Sequence, residues 1–119
     1  MIPITTVATS IYYCTRPTDM RKAYDGLCGE VTSFMGQDPQ SGHLFVFVNK
    51  RRDRMKILVW DRHGFWLLCK RLEAGRFQFP AIEDPAQPAA ALSYEQMLMV
   101  LEGIDLDSVR LRKRFRRIS

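Results

Sequence analysis

The spacing of apolar residues changes along the chain and predicts both strands and helices. Residues 11–14 are rich in β-forming side chains, and Pro17 with Thr18 interrupts them as the start of a helix. Between residues 20 and 35, apolar residues recur every three or four positions, which predicts an amphipathic helix that ends at Gly36.

Residues 37–79 carry the pattern of consecutive strands joined by polar turns. The predicted strands are 43–48, 55–61 and 65–70, with a short fourth strand at 76–79. Because the connections are short, we expect an antiparallel meander. The strands are apolar at odd and even positions alike, so both faces of the sheet are expected to be covered, unless one of them is an interaction surface.

The last third of the chain divides into a linker, a helix and a basic tail. Proline and alanine dominate residues 80–91, which predicts a semi-extended linker. Ser93 and Gln96 have the spacing of a capping box and predict a helix over 92–106, followed by the basic tail, 107–119. The apolar stripe of this helix consists of Met97, Leu98, Leu101 and Ile104.

These elements predict a single α+β domain over residues 1–119. It consists of an antiparallel β-meander of about four strands with one helix before it and one after it. Residues 1–10 are expected to be a loose lead-in, and residues 11–79 to hold the first strand, the first helix and the meander. With 46% hydrophobic and 26% charged residues, the composition is that of a globular protein rather than a disordered one.

Nothing in the sequence indicates export or a membrane span. The first residues lack a basic segment followed by a continuous apolar run, and no run approaches the ~20 apolar residues of a membrane helix. The three cysteines, Cys14, Cys28 and Cys69, are far apart and form no disulfide framework. We therefore expect a cytoplasmic protein without membrane contact, with Cys69 as a buried structural thiol.

Positive charge is concentrated in two short stretches of a chain whose net charge is +5. Together they hold 11 of the 18 basic residues, so the remainder of the chain is acidic. The first cluster consists of Lys50, Arg51, Arg52, Arg54 and Lys56. The second cluster consists of Arg110, Arg112, Lys113, Arg114, Arg116 and Arg117.

Both clusters are candidates for nucleic-acid contact. The first lies in a predicted turn between strands, where cations reach solvent and neighbouring aromatic rings can stack on bases. The rings on the adjoining strands are Phe45, Phe47, Trp60, Phe65 and Trp66. An acidic protein partner or a plain solvated turn are the alternatives. The second cluster suits an arm that binds nucleic acid, an aid to solubility, or a short membrane-surface helix.

No catalytic motif is present in the sequence. A metal-dependent nuclease needs converging carboxylates, and the 13 acidic residues include chance candidates such as Asp61 at a strand end, although a solvated surface position is the simpler interpretation. His43 and His63 lack partners at the spacing of metal ligands. Cys69 has no identified catalytic histidine. We therefore expect no metal, no cofactor and no enzymatic activity.

Five segments, in order and at matching spacing, resemble the small accessory proteins called TnpB of insertion sequences of the type sixty-six. The segments are 18–27, 38–47, 56–61, 70–77 and 101–105. The resemblance implies a role in bacterial DNA transposition beside a separate transposase of the DDE type, which cuts the strands. It supplies no catalytic residue. The RNA-guided nuclease of the same name is a different and much larger protein.

Three functions remain open at this point. The chain is a DNA-binding accessory factor, an adaptor that binds the transposase or another accessory subunit through Trp60, Phe65 and Trp66, or a small nuclease. The first turn of the predicted helix adds one local conflict, because it holds two cations, Arg21 and Lys22, where the helix dipole disfavours them. Arg21 is therefore expected to pair with Asp19, Asp25 or Asp61, or to reach a phosphate.

Overall fold

A computed structural model describes residues 10–105 and 110–111 of the chain. A π-helical turn, Glu30–Phe34, directly continues the first helix. In chain order, the elements are β1 (Ile11–Cys14), α1 (Tyr24–Gly29), β2 (Leu44–Val48), β3 (Arg54–Asp61), β4 (Gly64–Arg71), β5 (Ala89–Leu92), α2 (Tyr94–Glu102), β6 (Ile104–Asp105) and β7 (Arg110–Leu111).

Five strands form one sheet in the order β4-β3-β2-β1-β5, and β6 pairs separately with β7. β2, β3 and β4 form the predicted antiparallel meander. β1 lies parallel to β2, because the chain crosses over through α1 between them. The fold is thus α+β with helices flanking a mostly antiparallel sheet, which confirms the predicted fold class.

Both faces of the sheet are covered, as the apolar strands predicted. α2 and the segment 72–82, called the strap below, pack on one face, and α1 with its π turn packs on the other. The core on the α2 face contains Ile11, Tyr13, Leu44, Val46, Val48, Met55, Ile57, Val59, Phe77, Leu92, Met97 and Val100. The core on the α1 face contains Cys14, Leu27, Val31, Met35, Phe45, Phe47 and Leu58.

Helix α1 begins later than the predicted position at residue 20. The Asp19 carboxylate accepts the N–H of Arg21 at 2.9 Å, and the Asp19 carbonyl accepts that of Lys22 at 3.1 Å. These bonds give the backbone a turn in place of a first helical turn. Further on, the N–H of Met35 bonds to the carbonyl of Glu30, five residues earlier, at 3.0 Å.

The strap is irregular where the sequence predicted a strand at 76–79. Two anchors hold it instead of a ladder of hydrogen bonds. Phe77 is fully buried, and the ring of Phe79 stacks on that of Tyr13 with 4.6 Å between centroids. The Tyr13 hydroxyl also donates to the carbonyl of Pro80 at 3.3 Å. The alternation of apolar side chains at Phe77 and Phe79 therefore reflects these two anchors and does not indicate a paired strand.

β5 lies inside the segment predicted to be a linker. It pairs antiparallel with β1, and the N–H of Thr15 extends the pairing by donating to the carbonyl of Pro88 at 3.1 Å. Alanine has little preference for strands, so the contact with β1, and not the local sequence, makes this segment a strand. The predicted linker over 80–91 is wrong over residues 89–91.

Helix α2 has the predicted capping box. The Ser93 hydroxyl accepts the N–H of Gln96 at 3.0 Å, and the Gln96 side chain accepts that of Ser93 at 2.9 Å. The helix ends at Gly103, with φ 76°, and not at residue 106, because the chain enters β6 at once. Leu98 is exposed, contrary to the predicted stripe. Among the described residues, no helix has the length and apolar composition that a membrane span requires.

Candidate nucleic-acid interface

The turn between β2 and β3 is built by the side chains of Asn49 and Asp53. The Asn49 side-chain oxygen accepts the N–H groups of Asp53 and Arg54 at 3.1 and 3.0 Å. Its amide nitrogen donates to the Asp53 carboxylate at 2.7 Å. The N–H of Arg52 donates to the Asn49 carbonyl at 3.0 Å. These bonds hold residues 49–54, called the cationic hairpin below, without help from the basic side chains.

The cationic hairpin presents four exposed basic side chains around one carboxylate. Asp53 has its pKa lowered by the hydrogen bond from Asn49 and by the nearby charges of Arg51 and Arg54. The backbone of Arg52 adopts φ 59°, which costs a residue other than glycine roughly 1 kcal/mol. The exposed cations are Lys50, Arg51, Arg52 and Arg54.

The strap supports the cationic hairpin and adds a further cation. The carbonyls of Arg52 and Asp53 accept the N–H groups of Phe77 and Leu72 at 2.7 and 2.8 Å. Arg76, also exposed, lies beside the hairpin cations around a hollow of about 380 Å³. Arg76 was not among the predicted site residues, because it is far from the cluster in sequence and joins it only through the strap.

Positive charge continues from β3 to the neighbouring strand. Arg54 lies directly opposite Arg71 in the β3–β4 register, and both side chains are exposed. Like charges in this position repel each other. Arg71 forms an ion pair with Glu73 at 3.0 Å, which partly relieves the repulsion. The surface around the hairpin is therefore cationic on two adjacent strands.

Lys56 belongs to the sequence cluster but points into the fold. It lies on the α1 face, where its ammonium group donates to the carbonyls of Met20 and Lys22 at 2.8 and 2.7 Å. Its side chain is only partly exposed. Lys56 therefore fastens the segment before α1 to the sheet, and it is separated from the hairpin cations.

The second sequence cluster lies almost entirely outside the described residues. Arg110 is in β7, and its backbone pairs with Asp105 of β6. Its other members, Arg112, Lys113, Arg114, Arg116 and Arg117, lie outside the described residues, as do residues 1–9. The predicted role of the tail therefore stays a prediction.

The aromatic rings are not interleaved with the cations of the hairpin. Phe45 and Phe47 are fully buried, so the expected stacking of their rings on bases is excluded. Trp60 and Phe65 form an edge-to-face pair, with 5.0 Å between centroids, near the opposite end of β3. Six residues of strand separate Trp60 from Arg54, a distance of roughly 20 Å.

The three aromatic residues predicted to bind a partner protein do not share one face. Trp60 and Phe65 lie on the α1 face, whereas Trp66 lies opposite Val59 on the α2 face. Trp66 is 43% exposed, and its indole N–H donates to the Asp61 carboxylate at 3.1 Å. An interface that uses all three residues must therefore wrap around the end of the β3–β4 hairpin.

The other candidate residues have structural contacts. Asp61 accepts the bond from Trp66, and His43 packs edge-on against Tyr12 with 5.4 Å between ring centroids. Within residues 10–105, no three histidine, cysteine or acidic side chains cluster as metal ligands do. Cys69 is exposed, contrary to the buried thiol that was predicted, because β4 is an edge strand.

Arg21 pairs with Asp19, which is one of its predicted partners. Its guanidinium donates to both carboxylate oxygens, from Nε to Oδ1 at 3.1 Å and from Nη2 to Oδ2 at 2.7 Å. Hydrogen bonds from the side chain and backbone of Arg21 lower the pKa of Asp19 to about 2. The pair caps the turn that precedes α1, so the cation lies outside the helix and the expected conflict with the helix dipole does not arise.

A second ion-pair network connects the segment between β1 and α1 with the π turn. Glu30 accepts hydrogen bonds from Lys22 at 2.7 Å and from Arg16 at 2.9 Å. The Arg16 guanidinium also lies 3.8 Å from the centroid of the Phe34 ring. The hydrogen bond from Lys22, and then that from Arg16, lower the pKa of Glu30 although partial burial opposes this.

The fold and the surface define a small α+β protein in which the strap supports a cationic hairpin at one end of the sheet. The family model described as IS66 Orf2-like protein matches residues 9–111. The chain belongs to this family, and it is therefore an accessory protein of an insertion sequence. This confirms the family that the sequence segments indicated.

Two similar proteins come from Sinorhizobium fredii (strain NBRC 101917 / NGR234). "Uncharacterized protein y4jC" is 37% identical over 100 residues, which cover 84% of this chain and 83% of that protein. "Uncharacterized protein y4hO" is 35% identical over 95 residues, which cover 80% of each. No solved structure matches the chain.

Proposed function

We propose that the protein assists transposition of its insertion sequence without catalysis, by contacting the DNA backbone through the cationic hairpin. A separate DDE transposase cuts the strands. One observation carries the proposal: exposed cations are concentrated around a turn that the strap supports. The cations are Lys50, Arg51, Arg52, Arg54 and Arg76.

The chemistry of this surface favours phosphates over bases. Arginine and lysine side chains neutralise phosphates and release counterions irrespective of sequence. Stacking on bases needs exposed rings near the cations, and Phe45 and Phe47 are buried. We leave Lys56 out of the proposed contact, because its ammonium is bonded to two carbonyls. The basic tail from Arg110 onward is proposed to add contacts on the strength of its charge alone.

The test is a titration of fluorescent duplexes with the protein, in which fluorescence anisotropy is measured at several salt concentrations. One duplex comes from the end of the insertion sequence and the other has the same composition in scrambled order. Five phosphate contacts predict that log K falls with log salt at a slope of about −4 to −5. An affinity independent of salt contradicts the proposal, whereas preference for the element end adds sequence recognition to it.

Matched single substitutions separate the hairpin from net charge. Arg51→Gln is expected to weaken binding and to reduce the slope by about one unit, because one phosphate contact is lost. Arg62→Gln removes the same charge from the turn at the opposite end of β3, where Arg62 is also exposed. It is expected to leave the slope unchanged. Equal effects of the two changes would mean that binding follows net charge and not the hairpin.

A second candidate function is an adaptor that binds the transposase or another accessory subunit without touching DNA. The exposure of Trp66 favours it, because large exposed aromatic residues commonly anchor protein interfaces. In a pull-down with the transposase of the element, Trp66→Ala is expected to abolish capture and the double change Arg51→Glu with Arg52→Glu to preserve it. The opposite pattern favours contact through the hairpin.

A further inference from the structure

The two edges of the five-stranded sheet differ in length. β5 has four residues and follows Pro88, whereas β4 has eight residues. Within residues 10–105 and 110–111, no strand pairs with the outer side of β4. A long open edge presents N–H and C=O groups that another strand can complete.

The register of β3 and β4 shows which N–H groups face outward. The N–H of Leu72 donates to the carbonyl of Asp53, and this pair continues the register in which Arg54 lies opposite Arg71. Antiparallel pairs alternate between bonded and non-bonded positions. Even-numbered residues of β4 therefore point their N–H groups toward β3. The odd-numbered residues, such as Cys69, point theirs toward solvent.

The side chains of β4 are complementary to those of a second, antiparallel copy. The strand begins with two aromatic residues, Phe65 and Trp66, and ends with two cations, Lys70 and Arg71. A two-fold axis through Leu68 places Phe65 opposite Arg71 and Trp66 opposite Lys70, each pair occurring twice. Lys70 donates to the carbonyl of Leu101 and Arg71 pairs with Glu73, each at 3.0 Å, but both side chains are exposed and have further donors that can lie against a ring of the second copy. Cations attract the faces of aromatic rings, so all four pairs are favourable.

We propose that two copies of this chain form a dimer through antiparallel pairing of their β4 strands about Leu68. The two sheets then become one continuous sheet, and the contact is isologous, as in most symmetric dimers. Cations on an edge strand ordinarily prevent such pairing. In the register centred on Leu68, the cations of one copy lie opposite aromatic rings of the other, whereas a register centred on Lys70 brings like charges together. The cationic hairpin takes no part in the contact, so the proposal does not rest on DNA binding.

Proline at position 69 tests the edge contact. Because the N–H of Cys69 faces outward, Cys69→Pro removes a hydrogen bond from the dimer and none from the β3–β4 ladder. Cys69→Ser keeps the N–H and is the matched control. In sedimentation velocity from low to high micromolar protein under reducing conditions, wild type and Cys69→Ser are expected to dimerise with rising concentration. Cys69→Pro is expected to stay monomeric with an unchanged circular dichroism spectrum.

Two results of sedimentation overturn the proposal. If the wild-type chain stays monomeric at every concentration, the outer side of β4 is either free or covered by another segment of the same chain, such as residues 112–119. A Cys69→Pro variant that dimerises like wild type places the interface elsewhere. If Cys69→Pro does not fold, Trp66→Ala takes its place, and it is expected to weaken dimerisation because two ring–cation pairs are lost.

Disulfide formation tests the register independently. Pairing about Leu68 places residue 67 of one copy opposite residue 69 of the other, with Cα atoms about 5.5 Å apart, a distance that a disulfide spans. In a Cys28→Ser background, mild oxidation of Leu67→Cys is expected to give a covalent dimer. Adding Cys69→Ser to that variant is expected to abolish the cross-link. Cross-linking through Cys69 alone, or no cross-linking at all, overturns the proposed register.

Discussion

The ion pairs of Glu30 determine how firmly the segment before α1 is held against the rest of the fold. The Glu30 side chain is only 11% exposed, and its carboxylate accepts a bond from Lys22 and is contacted at both oxygens by the Arg16 guanidinium. Replacing Glu30 by alanine removes these bonds and leaves the two cations without their acceptor. We expect Glu30→Ala to destabilise the protein more than the loss of any exposed carboxylate.

The size of the effect follows from the exposure of each partner. A hydrogen bond to a charged group stabilises a protein by about 1.5–3 kcal/mol, which applies to the less exposed pair with Lys22. The Arg16 side chain is 52% exposed, so solvent screens that pair to less than about 1 kcal/mol. The free energy of unfolding of Glu30→Ala is therefore expected to fall by about 2–3 kcal/mol at neutral pH.

The ion pairs of Glu30 also predict how the difference in stability between wild type and Glu30→Ala changes with pH. The hydrogen bonds from Lys22 and Arg16 lower the pKa of Glu30 in the folded protein. The stabilisation is therefore complete above the unfolded pKa, near 4.3, and is lost as pH falls through the folded pKa. The stabilities of wild type and Glu30→Ala are therefore expected to converge as the pH falls below the folded pKa of Glu30, which lies under the unfolded value.

Urea denaturation at pH 7 and in acid measures both effects, with circular dichroism as the signal. Glu83→Ala is the matched control, because Glu83 is an exposed carboxylate directly after the strap. It is expected to change stability by less than about 0.5 kcal/mol. The reasoning is refuted if Glu30→Ala costs no more than Glu83→Ala at pH 7, or if its cost is undiminished in acid.

Further substitutions test other parts of the fold by the same denaturation assay. Ser93→Ala removes the cap of α2 and is expected to cost about 1 kcal/mol. Gly29→Ala is expected to stabilise by up to about 1 kcal/mol, because Gly29 has φ −60° and an added Cβ meets nothing within 4 Å. Gly36→Ala has the same free space but φ 67°, so it is expected to cost about 1 kcal/mol; equal signs for the two glycines would refute the backbone argument. Phe77→Ala is expected to cost about 3–5 kcal/mol and to weaken DNA binding, since the strap supports the hairpin; unchanged binding would contradict that support.

Local signals in the sequence predicted the elements that depend on local interactions. The capping box at Ser93, the helix stop at Gly36 and the antiparallel meander each follow from neighbouring residues. β1 and β5 do not. The parallel pairing of β1 with β2 and the pairing of β5 with β1 join residues far apart in sequence. The alanines of β5 carry no strand signal of their own, so only the assembled sheet shows that they form one.

The candidate site likewise contains residues that the sequence predicted and residues that depend on the assembled fold. Four cations of the hairpin were visible in the sequence, because a polar turn between two strands exposes its side chains. Arg76 joins them through the strap, and Lys56 leaves them because β3 turns its side chain toward α1. Neither the addition of Arg76 nor the loss of Lys56 can be inferred from charge alone, since both depend on where the fold places the side chain.

The hydrogen bonds of the basic residues distinguish the cations that hold the fold from those that face solvent. Lys56 and Lys70 donate to backbone carbonyls, and Arg16, Arg21, Lys22 and Arg71 bind carboxylates. Among the described residues, the side chains of the four hairpin cations make no hydrogen bond or ion pair. The four like charges repel one another and the carboxylate of Asp53 offsets only part of the repulsion, so Asn49 and the strap hold the hairpin against its own electrostatics. A polyanion relieves that repulsion, and a local conflict of this kind is where a functional surface is expected. For this reason the proposed DNA contact lies at the hairpin and the neighbouring Arg76, and not at Arg62, which is exposed at the opposite end of β3.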